Sequence, residues 1–182
     1  SSASTSFTQT HIPVVANAGV RWGDAVALVL NVEQGFRAPN LDDLVARQST
    51  GQGYQLDNPA LKPEQALTTE VGVSLASQWL SGEVLVFHQR LSDAIERRLL
   101  TPSDCQLNPQ FVDQACRANR APMQLVNLPG DAVIYGAEAR IEMRPTRSLR
   151  LRSAVSYAFG EGDNPNPDKS DRTPLSRIPP LN

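Results

Sequence analysis

Seven charged side chains dominate a search for chemistry in this sequence: Glu33, Glu70, Glu138, Arg140, Glu142, Arg150 and Arg152. Paired carboxylates can act as acid and base on a glycosidic bond, but no Ser/His/Asp nucleophile order and no His-rich metal spacing accompanies these. Their positions alternate with apolar residues. The expected role is to line a water-filled lumen, where they pair with one another. Gly51-Gln52-Gly53-Tyr54 has two glycines but lacks the third, and the strand-to-helix setting, of a dinucleotide loop. The acids between Asp163 and Asp171 miss the EF-hand register and its glycine, which leaves a solvated loop. His11 and His88 each lack a second ligand at useful spacing. No catalytic residue, cofactor or metal site is therefore expected. Cys105 and Cys116 sit in a polar segment with no nearby His and no Cys-x-x-Cys spacing, which disfavours zinc. They are expected to form a disulfide that pins a loop tip in an oxidising compartment, with two unpaired thiols as the alternative.

The elements that must position these groups are read from the period of the hydrophobic pattern. A strand between lipid and a watery lumen alternates apolar and polar residues, whereas a core helix repeats near 3.6. Period two recurs. Val26, Leu28, Leu30 and Val32 oppose Asn31, Glu33 and Gly35. Leu67, Thr69, Val71, Val73 and Leu75 oppose Thr68, Glu70, Gly72 and Ser74. Tyr135, Ala137, Ala139, Ile141 and Met143 oppose Gly136, Glu138, Arg140 and Glu142, and from Leu149 to Phe159 the apolar face opposes Arg150 and Arg152. With less regular runs at Val14–Trp22 and from Glu83 to about Ile95, where His88 and Arg90 share a face with Val84 and Val86, six strands are predicted.

The connections alternate in length. Gly23-Asp24, Gln78–Ser81 and Pro145–Arg147 read as tight turns, while Arg37–Gln65, Leu99–Gln124 and Gly160 to about Ser176 read as long polar loops. Short turns at one end and long loops at the other are the pattern of outer-membrane barrels, with the long side extracellular. Trp22, Trp79, Tyr157 and Phe159 fall where interfacial aromatic girdles would lie. The 14 prolines and 11 glycines punctuate these runs and leave no room for long helices. With 17 basic residues against 19 acidic ones, there is no cationic block to track a phosphate backbone, so nucleic acid is excluded as a partner.

The phrase Gly35-Phe36-Arg37-Ala38-Pro39-Asn40-Leu41-Asp42-Asp43-Leu44 resembles a stretch of TonB-dependent outer-membrane receptors, where a strand leaves the membrane for an extracellular loop. It is followed by Asn58-Pro59-Ala60-Leu61-Lys62-Pro63-Glu64 and by Glu70-Val71-Gly72, matching the family's N-P-x-L-K-P-E and E-x-G runs in order and spacing. Phe87-His88-Gln89 with Asp93-Ala94-Ile95 resembles the next strand, Asn127 with Tyr135-Gly136-Ala137-Glu138 resembles the N…G-x-E strand, and 174–180 resembles the start of the strand after that. The resemblance implies an all-β, antiparallel transmembrane sheet forming part of a barrel of about 22 strands. It also implies import of a scarce nutrient such as an iron–siderophore complex. The partners would be outer-membrane lipid, the rest of the barrel, a plug domain, and the TonB complex acting through an N-terminal region. Plug, TonB-contact segment and terminal aromatic strand have no counterpart in this sequence, and six strands cannot close so large a barrel. Residues 1–182 are therefore expected to be one segment of a receptor wall. The competing readings are a soluble β-sandwich binding module and an outer-membrane barrel enzyme or adhesin.

Overall fold

The computed structural model describes residues 16–50, 53–101, 104, 122–166, 169 and 171–175. Both cysteines, and with them the expected disulfide, lie outside the described residues, as does His11. In chain order the elements are β1 (Ala16–Trp22), β2 (Val26–Arg37), a short helix α1 (Leu41–Val45), β3 (Gln48–Thr50), β4 (Gly53–Leu56), β5 (Glu64–Ala76), β6 (Leu80–Ser92), β7 (Ile95–Leu99), β8 (Pro122–Asn127), β9 (Ala132–Thr146), β10 (Leu149–Asp163) and β11 (Arg172–Pro174).

Seven of these form an antiparallel meander in the order β1-β2-β5-β6-β9-β10-β11. Its first six strands are the six predicted from period two. From β2 to β10 they run 12 to 15 residues, longer than soluble strands need and enough to cross a hydrocarbon layer at a tilt. Their register turns the alternation of each strand into rows across the sheet. One row reads Trp22, Leu28, Val73, Val84, Ala139, Val155, and the next reads Val20, Leu30, Val71, Val86, Ala137, Tyr157. These apolar side chains are exposed, Val20 at 63% and Leu28 at 42%, apart from the half-buried Ala139. No described element packs over them. A soluble sandwich would bury this face under a second sheet; a barrel wall presents it to lipid. No helix among the described residues is long and apolar enough to cross a membrane.

The tight turns fall as expected. Gly23, at φ 112°, closes the β1–β2 hairpin in a conformation that a side chain rarely adopts. Trp22 and Trp79 stay exposed at this end of the sheet, while Tyr135 and Phe159 pack near the other with ring centroids 5.5 Å apart.

The long connections differ from the polar loops expected. The strand predicted from Glu83 to Ile95 stops at Ser92, because Asp93 adopts a left-handed backbone (φ 55°), and Ile95 begins a new strand. β7 belongs with β3, β4 and β8 to a second sheet, ordered β3-β4-β8-β7, built wholly from the first two long connections. Within it β4 and β8 pair in parallel, Tyr54 opposite Pro122 and Leu56 opposite Gln124, which joins loops from different hairpins. The third connection is shorter than expected. β10 continues to Asp163 and β11 returns along it, Glu161 opposite Pro174.

Among the described residues no second layer covers the main sheet, and the buried core lies at the loop sheet and its junction with β9. Leu44, Leu61, Ile95 and Leu125 form one cluster, and Ala94, Leu128 and Ala132 another, with Leu61 and Ala132 fully buried.

Candidate functional site

The motif residues singled out in the sequence converge where the strands leave the sheet. Arg37, the last residue of β2, ion-pairs with Glu64, the first of β5, directly opposite it in the register. Its other arm reaches Asp43 at 3.1 Å. Asp43 is buried and closes a capping box at the start of α1: its N–H donates to the Asn40 side-chain oxygen (2.7 Å), and its carboxylate accepts from Asn40 N–H (3.1 Å). Pro39 is buried beside this cap, Ala38 is exposed, and Phe36 is half-buried. The other oxygen of Glu64 accepts the N–H of Ile95 at 2.7 Å, which ties the strand pair to β7. One arginine thus fixes a strand end, a helix start and the foot of the second sheet.

The Asn58-Pro59 stretch makes the second junction. Asn58 Nδ2 donates to the Leu125 carbonyl (2.8 Å), and its own N–H donates to the Leu44 carbonyl (3.0 Å). Asn127 completes the lock. Its side chain accepts from Lys62 N–H (2.8 Å) and donates to the carbonyls of Lys62 (2.9 Å) and Asp93 (2.7 Å). Leu61 packs into the core between these polar clamps, and Pro63 is buried below it. Two carboxylates anchor the loop edges. Asp131 is held below the usual carboxylate range by the Ser92 hydroxyl (2.7 Å) and by Arg90 (2.6 Å). Asp104 is held low mainly by the Thr101 N–H (2.8 Å), then by the Thr101 hydroxyl and Arg98.

The motif glycines do something different. A Cβ on Gly72 would lie 2.3 Å from Leu85, and one on Gly136 would lie 2.6 Å from the Phe87 ring and 2.2 Å from the Tyr157 carbonyl. Each glycine is the seat of the large residue opposite it on β6, Leu85 against Gly72 and Phe87 against Gly136. Gly136→Val is expected to cost about 1 to 3 kcal/mol through overpacking, with Phe87→Ala restoring part of the loss. Urea unfolding of the full receptor in lipid measures both. A neutral Gly136→Val would show that Phe87 does not rest on the glycine.

The charged residues share the face opposite the exposed aliphatic rows. Asn31 donates to Glu70 at 3.0 Å across β2–β5. Arg140 lies 3.8 Å from Glu83 and 4.0 Å from Glu138, and Glu142 receives Arg144, Arg150 and Arg152 at 2.7 to 3.3 Å. Glu33 stands on the same face opposite Thr68. The structure thus forms two neighbouring ionic groups on this face, Arg140 with Glu83 and Glu138, and Glu142 with Arg144, Arg150 and Arg152, while Glu70 pairs separately with Asn31. No group of three or more potential metal ligands occurs among the described residues.

A single-layer amphipathic sheet with loops clamped at its rim is the build of a barrel wall. The sequence model of the TonB dependent receptor-like beta-barrel family matches residues 4–182. The chain belongs to this family. Over 138 residues it is 30% identical to the iron-regulated outer membrane virulence protein of Vibrio cholerae serotype O1 (El Tor Inaba N16961), covering 74% of this chain. The counterpart from the Classical Ogawa strain is 29% identical over the same length. The chain spans about a fifth of the length of these relatives, 20% in each case. Among solved structures it resembles the copper transporter OprC, at 19% identity and a TM-score of 0.61, over 91% of this chain and 22% of that one. It also resembles the siderophore receptor PirA of Pseudomonas aeruginosa, at 17% identity and a TM-score of 0.55, over 79% of this chain and 24% of that one. The family's barrels are outer-membrane barrels, and this chain is a segment of such a wall.

Proposed function

We propose that the full-length protein is an outer-membrane receptor that imports a scarce nutrient such as an iron–siderophore complex with TonB-derived energy, and that this chain supplies part of its wall and outer loops. The family match along nearly the whole chain carries this reading. The two-faced sheet supports it, and so do the names of the relatives, iron-regulated or siderophore receptors among them. In this reading the exposed aliphatic rows face lipid. Glu33, Glu70, Glu138, Arg140, Arg150 and Arg152 face the lumen, where their charges stay hydrated or meet the plug. The similar solved structures are named as a transporter and a receptor, which disfavours an enzyme. The wide uncovered apolar face disfavours a soluble binding module.

Uptake of radiolabelled ferric siderophores by cells carrying or lacking the full gene tests the proposal, with a TonB-deficient strain as the energy control. Loss of uptake in both deficient strains is expected. Uptake that persists without TonB would sink the energy coupling.

The connections that hold 38–63, 93–131 and 164–171 are assigned to the cell exterior, because the intervening turns are short. Protease added to intact cells should cut within these connections and spare the turns at Gly23, Gln78 and Arg147. Cleavage confined to those turns would invert the orientation.

A further inference from the structure

We infer that the first two long connections form one cover over the mouth of the lumen, so that cargo entering the receptor passes beside this cover and never between its two loops. The seat of the cover decides which side of the wall it overhangs. Arg37, Glu64, Leu91, Ala132 and Gly162 carry its base, and by the alternation of their strands all five lie on the charged face with Glu70, Arg140 and Arg152. Arg37 and Glu64 hold α1 and β7 through Asp43 and the Ile95 N–H. Leu128, just past β8, packs on Ala94 and Ala132, with Leu91 beside them. It comes so near Gly162 that a Cβ there would lie 2.7 Å from its side chain. A base resting on these positions carries the loop sheet inward. This inference rests on the lumen orientation proposed above.

The two connections are stitched to each other as firmly as to the wall. Besides the parallel β4–β8 pair, Asn58 Nδ2 donates to the Leu125 carbonyl (2.8 Å) and Gln124 Nε2 donates to the Asp57 carbonyl (2.7 Å). Asn127 both accepts from and donates to the Lys62 backbone. The apolar contacts follow the same plan. Leu44 and Leu61 come from the first connection, Ile95 and Leu125 from the second, and the four make one buried cluster. Leu56 of the first packs with Leu100 of the second in another. Parting the loops would bring both clusters into water and strip the bonds between β4 and β8, so burial and hydrogen bonding both oppose it. Segments that share a core in this way open as one cooperative unit. The cover therefore behaves as one body toward a ligand touching either loop.

The test joins the two loops covalently. Tyr54 and Pro122 are register partners in the β4–β8 pair, at a strand spacing of about 4.8 Å that a disulfide spans. The full receptor carrying Tyr54→Cys/Pro122→Cys is oxidised on whole cells, and mass spectrometry confirms the linked peptide. TonB-dependent uptake of radiolabelled ferrichrome, ferric enterobactin and ferric citrate is then compared with the wild type treated in the same way. Uptake within about twofold of the wild type is expected, because the link constrains loops that already move together. Uptake lost on oxidation of the variant alone, and restored by dithiothreitol, would overturn the inference. Absence of uptake in the wild type as well would count against the transport reading and leave the cover to a second measurement, which also serves if no link forms. In the full receptor in detergent, Asn58→Ala is expected to speed hydrogen exchange about tenfold in both β4 and β8, although the substitution lies in the first connection only. Acceleration in β4 with β8 unchanged would show two independent loops and overturn the single cover.

Discussion

Replacing Leu28, Val73 or Leu151 by Arg is expected to weaken folding of the full receptor into liposomes by about 2 to 4 kcal/mol where the site lies near the bilayer midplane. Leu28 and Val73 are direct neighbours in one row of the sheet, and all three side chains are exposed on the aliphatic face. A guanidinium placed there leaves water for hydrocarbon with no counter-ion. Ala154→Arg is the control, because Ala154 lies on the charged face opposite Arg140. Ser74, also on that face, is a poor control: it is only 6% exposed, so a long side chain there would fail by crowding. Urea titration of vesicle-folded receptor gives the comparison. Equal losses on both faces would mean that neither meets lipid.

The second large effect belongs to the loop base. Leu61→Ala is expected to remove about 2 to 5 kcal/mol from local stability, because Leu61 is fully buried against Leu44, Ile95 and Leu125. The loss should be confined. β5 starts only at Glu64, and the meander strands are held by their own ladders. Hydrogen exchange should speed up at Asn58, Leu61 and Leu128, whose N–H groups bond within the loop base, and stay slow at the centres of β5 and β6. A loss of 2 kcal/mol opens the loops roughly thirtyfold more often. Uniform acceleration across the meander would show that the loop core and the wall unfold together.

The wall was legible in the sequence because lipid and lumen impose period two on every crossing strand, and Leu30-Asn31-Val32-Glu33 or Thr69-Glu70-Val71-Gly72 records it. His88 and Arg90, which blurred the β6 pattern, fall in outer rows beside Thr69 and Tyr135, and Leu67 and Val133, toward the loop end of the sheet. The loop sheet left no such trace. Gly53–Leu56 and Pro122–Asn127 are too short to show a period, and their pairing is parallel and remote in sequence. Its core residues stand singly among Asn, Pro and Asp. The motif string was visible, but its meaning was not. Arg37, Asn58, Glu64 and Asn127 read as family markers and turn out to be clamps, a role that shows only once β2, β5, β7 and β8 are brought to one point. For the charged array, the shared face was legible from alternation, whereas the hub at Glu142 depended on the register of β9 and β10.

The parallel pairing of β4 with β8 also bears on the order in which the protein assembles. In the meander β1–β2, β5–β6 and β9–β10 are joined by tight turns and β2–β5 and β6–β9 are consecutive strands of the wall, whereas Tyr54 must find Pro122 across the whole of β5, β6 and β7. Closing so long a segment in a free chain carries a heavy entropic cost before any bond rewards it. Once β5, β6 and β9 have zipped, that separation has collapsed, and the loop sheet can condense on a finished platform. The outer loops would then be the last part of this segment to form.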